Sequence, residues 1–263
     1  MATELMIVGG GKMGEALAAG LVNSGWAEIG DITVVESLEE RREELMESYP
    51  GLKVVADLEP ASDALLAVKP DQVQQVCQEI SSFIPNRLIS IAAGVTTNTI
   101  QGLLPSGTCV IRVMPNTPAM INVGMSALAA GTHATSGDLD WASSIFSAVG
   151  ETTVIDENLM DAITGLSGSG PAYVFALAEA MTAAGVNEGL DQETADLLVR
   201  QTILGAASLM AQSKETPRQL RDAVTSPNGT TSAALSVFED KAFAEIVVEA
   251  ISAATHRAGE LGS

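Results

Sequence analysis

Three glycines, Gly9, Gly11 and Gly14, stand in G-x-G-x-x-G order within GGGKMGEAL, after the apolar run LMIV and before a segment of helical spacing. The first permits a tight turn, the second lets backbone approach a diphosphate, and the third lets a helix pack closely on the preceding strand. N–H donors at the helix start, around Lys12 and Met13, and the helix dipole then meet the anion's charge. Far downstream, DAVTSPNGTTSAAL breaks a helical pattern with Ser226, Asn228, Gly229, Thr230 and Thr231. Such a loop running into a helix start presents consecutive N–H groups to a second, smaller anion. Its turn-forming residues suit a plain helix-to-helix connection equally well.

These residues need a frame. Up to residue 157, short β-branched runs (ELMIVGG, ITVVE, LKVVA, ALLAVKP, LISIAAG, CVIRVMP) alternate with amphipathic stretches such as LEERREELMESY. That alternation predicts a parallel sheet with helices on both faces, closed by a last strand pair, MSALAAG and TTVID. From residue 158 to 263 every periodic segment is helical. The expected fold is therefore α/β: a Rossmann-type doubly wound sheet over 1–157, followed by an all-helical domain over 158–263. PAYVFALAEAMTAAGV is apolar nearly all round, which a lone surface helix should not be. The helical domain is thus expected to pack against a second copy of the chain, giving at least a homodimer.

Other loops would end on the same side of the sheet as the glycines, where ligands of open α/β sheets bind. Val68, Lys69 and Pro70 form one, with Lys69 offering positive charge, and Ala93 and Gly94 end another. Glu36 ends the second strand about twenty residues beyond the glycines, where a carboxylate accepts from an adenosine ribose hydroxyl. Ser37, Arg41 and Arg42 follow it and suit a 2′-phosphate instead, or a solvated helix face paired with neighbouring Glu. The dinucleotide is left as NADH or NADPH.

Composition narrows the classes. Against 33 acidic residues stand 13 basic ones, a formal charge of −20 that disfavours nucleic acid and anionic membrane surfaces as partners. It also requires any phosphate site to be made locally positive. Cys77 and Cys109 are the only cysteines, and no secretory pattern precedes the first strand, so the expected compartment is the cytoplasm. Cys77 falls at helical spacing with Val73, Val76 and Ile80 and reads as core. His133 and His256 lie far apart without ligand spacing, so no metal site is expected. A nicotinamide enzyme acting on a protonated imine needs no strong acid or base, because the cofactor supplies hydride and the protein positions the acceptor.

The runs GGGKMGEAL, AVKP, SIAAGVT, RVMPNTPA, GLSGSGPAYVF and LRDAVTSPNGTTSAAL, in this order, make the chain resemble pyrroline-5-carboxylate reductases over essentially its whole length. The resemblance implies reduction of 1-pyrroline-5-carboxylate to L-proline by NADPH or NADH, in a homodimer whose helical domains interlock and which in that family often assembles into a decamer. It also implies that backbone N–H groups from Asn228 to Thr231 bind the substrate carboxylate. Thr231 would hydrogen-bond the ring nitrogen, with Thr231 or water as proton donor, and Asn116 would lie beside the nicotinamide, with Met114 and Pro115 shaping the wall. Where the family usually has two glycines after the proline, this chain has Asn228 and then Gly229. Asn is the non-glycine residue that best tolerates positive φ. A β-hydroxyacid dehydrogenase or an F420-dependent NADP oxidoreductase relative would share the N-terminal pattern; the former needs a catalytic lysine in the helical half, and neither Lys214 nor Lys241 lies in a matching motif. A non-catalytic dinucleotide-binding regulator would have no need of TSPNGTT.

Overall fold

The computed structural model describes residues 5–261. They form an eight-stranded sheet of order β3-β2-β1-β4-β5-β6-β7-β8. The strands are β1 (Leu5–Val8), β2 (Ile32–Val35), β3 (Lys53–Val55), β4 (Asp63–Leu66), β5 (Arg87–Ser90), β6 (Cys109–Met114), β7 (Gly124–Ala130) and β8 (Gly150–Val154). Each coincides with a strand run read from the sequence; Glu4, at the head of the first run, lies outside the described residues. Between and beyond them come α1 (Lys12–Asn23), α2 (Glu39–Ser48), α3 (Val73–Ile80), α4 (Thr97–Gly102), α5 (Ser136–Phe146) and α6 (Met160–Ile163), then α7 (Gly170–Asn187), α8 (Gln192–Gln212), α9 (Pro217–Ala223), α10 (Thr230–Asp240) and α11 (Phe243–Leu261).

Both faces of the sheet are covered, which is why its strands read as unbroken apolar runs. Leu5 and Ile7 point into one core with Leu17 and Leu21 of α1 and Ile145 and Phe146 of α5. Met6 and Val8, one residue out of phase, point into the opposite core with Cys77 of α3 and Ile100 of α4. All neighbours are parallel except β6 and β7. Only a tight turn around Thr117–Ile121 joins those two, far too short for a crossover, so the chain can only come back antiparallel.

The amino end of the sheet carries a device that the sequence did not announce. Asp63 and Arg87 face each other in the register of β4 and β5, and the arginine makes two bonds of 2.8 Å to the carboxylate of Asp63, itself 0% exposed. The guanidinium also lies 3.8 Å from the ring centroid of Trp141. Planar, bidentate pairing and stacking on an aromatic face are what arginine does and lysine does not. This end is opposite the glycine turn, so the pair serves the fold.

Cys77 and Cys109 are buried free thiols, and burial above all pushes each from 9.0 to about 11. Neither is expected to react with iodoacetamide at pH 8 in the native protein, and both should be labelled after unfolding; native labelling at either would contradict its core position. Because the folded value is the raised one, the neutral thiols stabilise fully below the unfolded value of about 9, and their contribution fades as pH climbs towards about 11.

By internal packing the chain divides into two compact units: residues up to Ser169 together with those from Ser252 onward, and Gly170–Ile251. In the second unit α7 and α8 pack on each other. Much of its apolar surface stays uncovered in the single chain, with Phe175, Leu197 and Val248 each 67% exposed. Among the described residues no helix is long and apolar enough to cross a membrane.

Candidate functional site

The two candidate binding elements lie in different units and are taken in turn. In the first unit the strand order reverses direction between β1 and β4, and the glycine turn leaves β1 at that point. The ladder continues briefly into the turn: the Gly9 N–H donates to Val35 O at 2.8 Å and the Ala67 N–H to Val8 O at 2.8 Å. Gly9 adopts φ +109, and a Cβ there would lie 2.5 Å from Ala67 O. A Cβ on Gly14 would lie 2.0 Å from Gly9 O, so helix and turn touch backbone to backbone. Gly11 is the N-cap of α1 with no capping side chain, and a Cβ placed there meets nothing within 4 Å. The space above Gly11 is open while Gly9 and Gly14 are hemmed in by backbone, which fits a diphosphate seated on the helix N-terminus.

Because β1, β2, β4, β5 and β6 run parallel, their carboxyl ends bring Gly9–Gly14, Glu36 and Ser37, Val68–Pro70, Ala93 and Gly94, and Met114–Asn116 to one edge of the sheet. Lys69 is exposed at the start of the turn leading into α3, and Gly94 takes φ +79. Glu36 folds back over the glycine turn: one carboxylate oxygen accepts from Gly10 N–H at 3.0 Å, the other from Leu38 N–H at 2.9 Å. Arg41 and Arg42, open between phosphate binding and a solvated face on sequence, are committed locally. Arg41 donates to Gly10 O, Glu44 and Glu15, at 2.9, 2.8 and 2.5 Å. Arg42 donates to the carbonyls of Glu36 and Ser37 at 3.0 and 2.8 Å. Long-range partners such as Glu15 leave no local sequence signal, which is why this clamp was not foreseen.

Asn116 is held on both sides. Its carbonyl oxygen accepts from Met125 N–H at 2.9 Å, and its amide nitrogen donates to the carbonyl and hydroxyl of Ser167, both at 3.3 Å. Ser167 sits in a π-helical turn, Thr164–Gly168, that precedes α7. Such insertions are frequent at functional sites. Gly168 faces the end of the Met114 side chain: a Cβ would lie 2.6 Å from Met114 Cε and would push that flexible tip aside. The glycine-serine alternation of GLSGSGP was the available signal: Gly170 and Pro171 read as a helix start, and Ser167 and Ser169 as lining the mouth of the site. Also unforeseen is Arg112, 3% exposed on β6, which faces Glu157 at 3.6 Å and Asp161 at 3.7 Å across a cavity of about 350 Å3 that reaches Gly94. Glu157 in turn accepts from the N–H and hydroxyl of Thr97 at 2.7 and 2.6 Å.

In the second unit, α8 and α9 have side-chain caps, Asp191 and Thr216, but α10 has Gly229 and no capping side chain. The N–H groups of its first turn therefore have no acceptor from a cap or from the helix itself. Asn228 adopts φ +59, the left-handed conformation that the Asn-for-Gly departure requires. Gly229 is close to Ser226: a Cβ would lie 2.3 Å from its Oγ and 3.1 Å from its carbonyl oxygen, so a side chain there would displace the serine. The Gly229 N–H donates to Ser226 O at 3.0 Å, closing the turn. Thr231, on the first turn of α10, is half-buried.

Sheet order, glycine turn and a carboxylate ending β2 define the class: a Rossmann-type dinucleotide-binding protein. The chain is 42% identical to the pyrroline-5-carboxylate reductase of a Synechocystis species over 100% of its own length and 99% of that relative's, and 40% identical to that of Methanosarcina acetivorans over 98% of each. It belongs to the pyrroline-5-carboxylate reductase family. Residues 157–261 match the family described as pyrroline-5-carboxylate reductase dimerisation, and residues 4–94 that described as NADP oxidoreductase, coenzyme F420-dependent. Among solved structures, the Coxiella burnetii pyrroline-5-carboxylate reductase superposes with a TM-score of 0.92 at 35% identity, covering 100% of both chains. The Plasmodium falciparum pyrroline carboxylate reductase with NADP bound reaches 0.87 at 29% identity, covering 99% of this chain and 98% of that one.

Proposed function

We propose that this protein is an NAD(P)H-dependent oxidoreductase that reduces 1-pyrroline-5-carboxylate to L-proline. The observation that carries the reading is the Ser226–Thr231 loop, a left-handed turn at Asn228 leading into the uncapped first turn of α10, in a chain related over its full length to reductases of this name. Consecutive N–H groups with the helix dipole behind them suit a carboxylate, the dipole contributing roughly 0.3–1 kcal/mol. In this reading Ser226, Asn228, Gly229 and Thr230 shape and line that anion site, and the Thr231 hydroxyl hydrogen-bonds the ring nitrogen. Bound nicotinamide supplies the hydride that reduces the C=N carbon.

The glycine turn would hold the diphosphate through the N–H groups around Gly11, Lys12 and Met13, while Glu36 and Ser37 take the adenosine ribose. Val68, Lys69, Pro70, Ala93 and Gly94 would border the rest of the dinucleotide, with Met114 and Asn116 at the nicotinamide end. Asn116 is then a positioning residue as well, because its amide ties the strand end to the turn around Ser167. Residues 158–263 serve dimerisation and carry the substrate loop. The exposed Phe175, Leu197 and Val248 support a homodimer as the working unit, and dimers of this kind assemble further into a decamer. Two unpaired cysteines suit a reducing cytoplasm, and the acidic surface fits neither nucleic acid nor anionic membrane as partner.

The test follows NADH and NADPH oxidation at their absorbance, with and without 1-pyrroline-5-carboxylate, and measures the proline formed. Substrate-dependent oxidation with stoichiometric proline is expected. A protein that binds dinucleotide but consumes none would instead be a regulator.

A further inference from the structure

We propose that Glu36 makes this chain select NADH over NADPH, an inference that rests on the dinucleotide reading above and fixes which of the two is used. Glu36 closes β2 beside the glycine turn, at the position where the adenosine ribose of a dinucleotide lies in this fold. Its carboxylate is pinned by the N–H groups of Gly10 and Leu38, at 3.0 and 2.9 Å. It is also packed in place, since a Cβ on Gly10 would lie 3.2 Å from its Oε2. A carboxylate so held cannot swing away from an incoming anion. Oε1 accepts from both the Leu38 N–H and the Ser37 hydroxyl, at 2.9 and 3.4 Å, whereas Oε2 uses one lone pair on the Gly10 N–H and keeps another for a donor. The free 2′-hydroxyl of NADH is such a donor. The 2′-phosphate of NADPH brings about two negative charges and no donor to the same place.

The nearby arginines do not offset this. Three acceptors already occupy Arg41, two of them the carboxylates of Glu15 and Glu44, so its charge is balanced before any ligand arrives. Arg42 is turned onto the carbonyls of Glu36 and Ser37. The remaining charged side chains of α2 are Glu39, Glu40, Glu43 and Glu47, all acidic.

Calorimetric titration of the purified full chain with NAD+ and NADP+, without substrate, reads the preference apart from turnover. NAD+ is expected to bind at least about tenfold more tightly, the scale of a like-charge juxtaposition. Glu36→Gln keeps the shape and removes the charge, and should cut the ratio by about tenfold while the circular dichroism melt shows it still folded. Competition by 5′-ADP against 2′,5′-ADP gives the same comparison on the unaltered chain should the variant not fold. Equal or tighter NADP+ binding overturns the proposal and leaves the reductase reading intact; a ratio unmoved in a folded Glu36→Gln removes Glu36 as its source. Binding of neither dinucleotide overturns both readings together.

Discussion

Gly14→Ala should lose dinucleotide binding by about a hundredfold or more, the cost of displacing a binding group by an ångström. The added methyl would sit 2.0 Å from Gly9 O, and no rotamer relieves a clash between backbone and Cβ. Either α1 moves off β1 or the turn at Gly9 shifts, and in both cases the N–H groups at the start of the helix no longer converge. Overpacking of this kind also costs about 1–3 kcal/mol of stability, so the melt should fall with the binding. Gly11→Ala separates the two effects. A Cβ there meets no protein atom within 4 Å, so folding should be untouched, yet the methyl occupies the space where backbone would meet the diphosphate. Calorimetric titration with NAD+ and thermal melts of both variants check the pair. A Gly14→Ala protein that binds normally would refute the cradle; a Gly11→Ala protein that binds normally would move the diphosphate elsewhere.

Thr231→Ala should lower kcat for 1-pyrroline-5-carboxylate by about a hundredfold, the lower range for removal of a positioned proton donor, with dinucleotide affinity unchanged. Thr231 lies on the first turn of α10, so its backbone N–H, proposed to serve the carboxylate, survives the substitution. The loss should therefore appear in kcat more than in KM, and Thr231→Ser, which restores the hydroxyl, should recover most of it. Steady-state kinetics on the three proteins measure this. Unchanged turnover in Thr231→Ala would show that the hydroxyl has no role; a decrease of only a few-fold would assign the proton to water and leave Thr231 with orientation alone.

Much of this was legible in the sequence because it depends on local rules. Strand runs such as LMIV and CVIRVM are apolar at every position, as strands buried on both faces must be. The glycine spacing fixes a turn that only residues without a Cβ can make, and Asn228 was readable as the one non-glycine in its loop suited to the φ of +59 that it adopts. Residue type and spacing were sufficient there, since the constraint acts within a few bonds.

What the sequence left undetermined depends on contacts made by distant segments. Arg41 and Arg42 could equally have served a phosphate or a solvated face, until folding set Glu15 and the backbone of Gly10 beside Arg41 and turned Arg42 onto the carbonyls of Glu36 and Ser37. The Asp63 and Arg87 pair, the Arg112 cavity and the bond from Asn116 to Ser167 join residues dozens of positions apart, and no periodicity encodes such a meeting. The antiparallel return of β7 follows from a short link whose length the sequence displayed but whose consequence appears only once β6 is placed in the sheet. Residue types thus determined which chemistry this protein can support, and the tertiary structure decided which charges remain free to perform it, because a charge is available only after its partners in space have been counted.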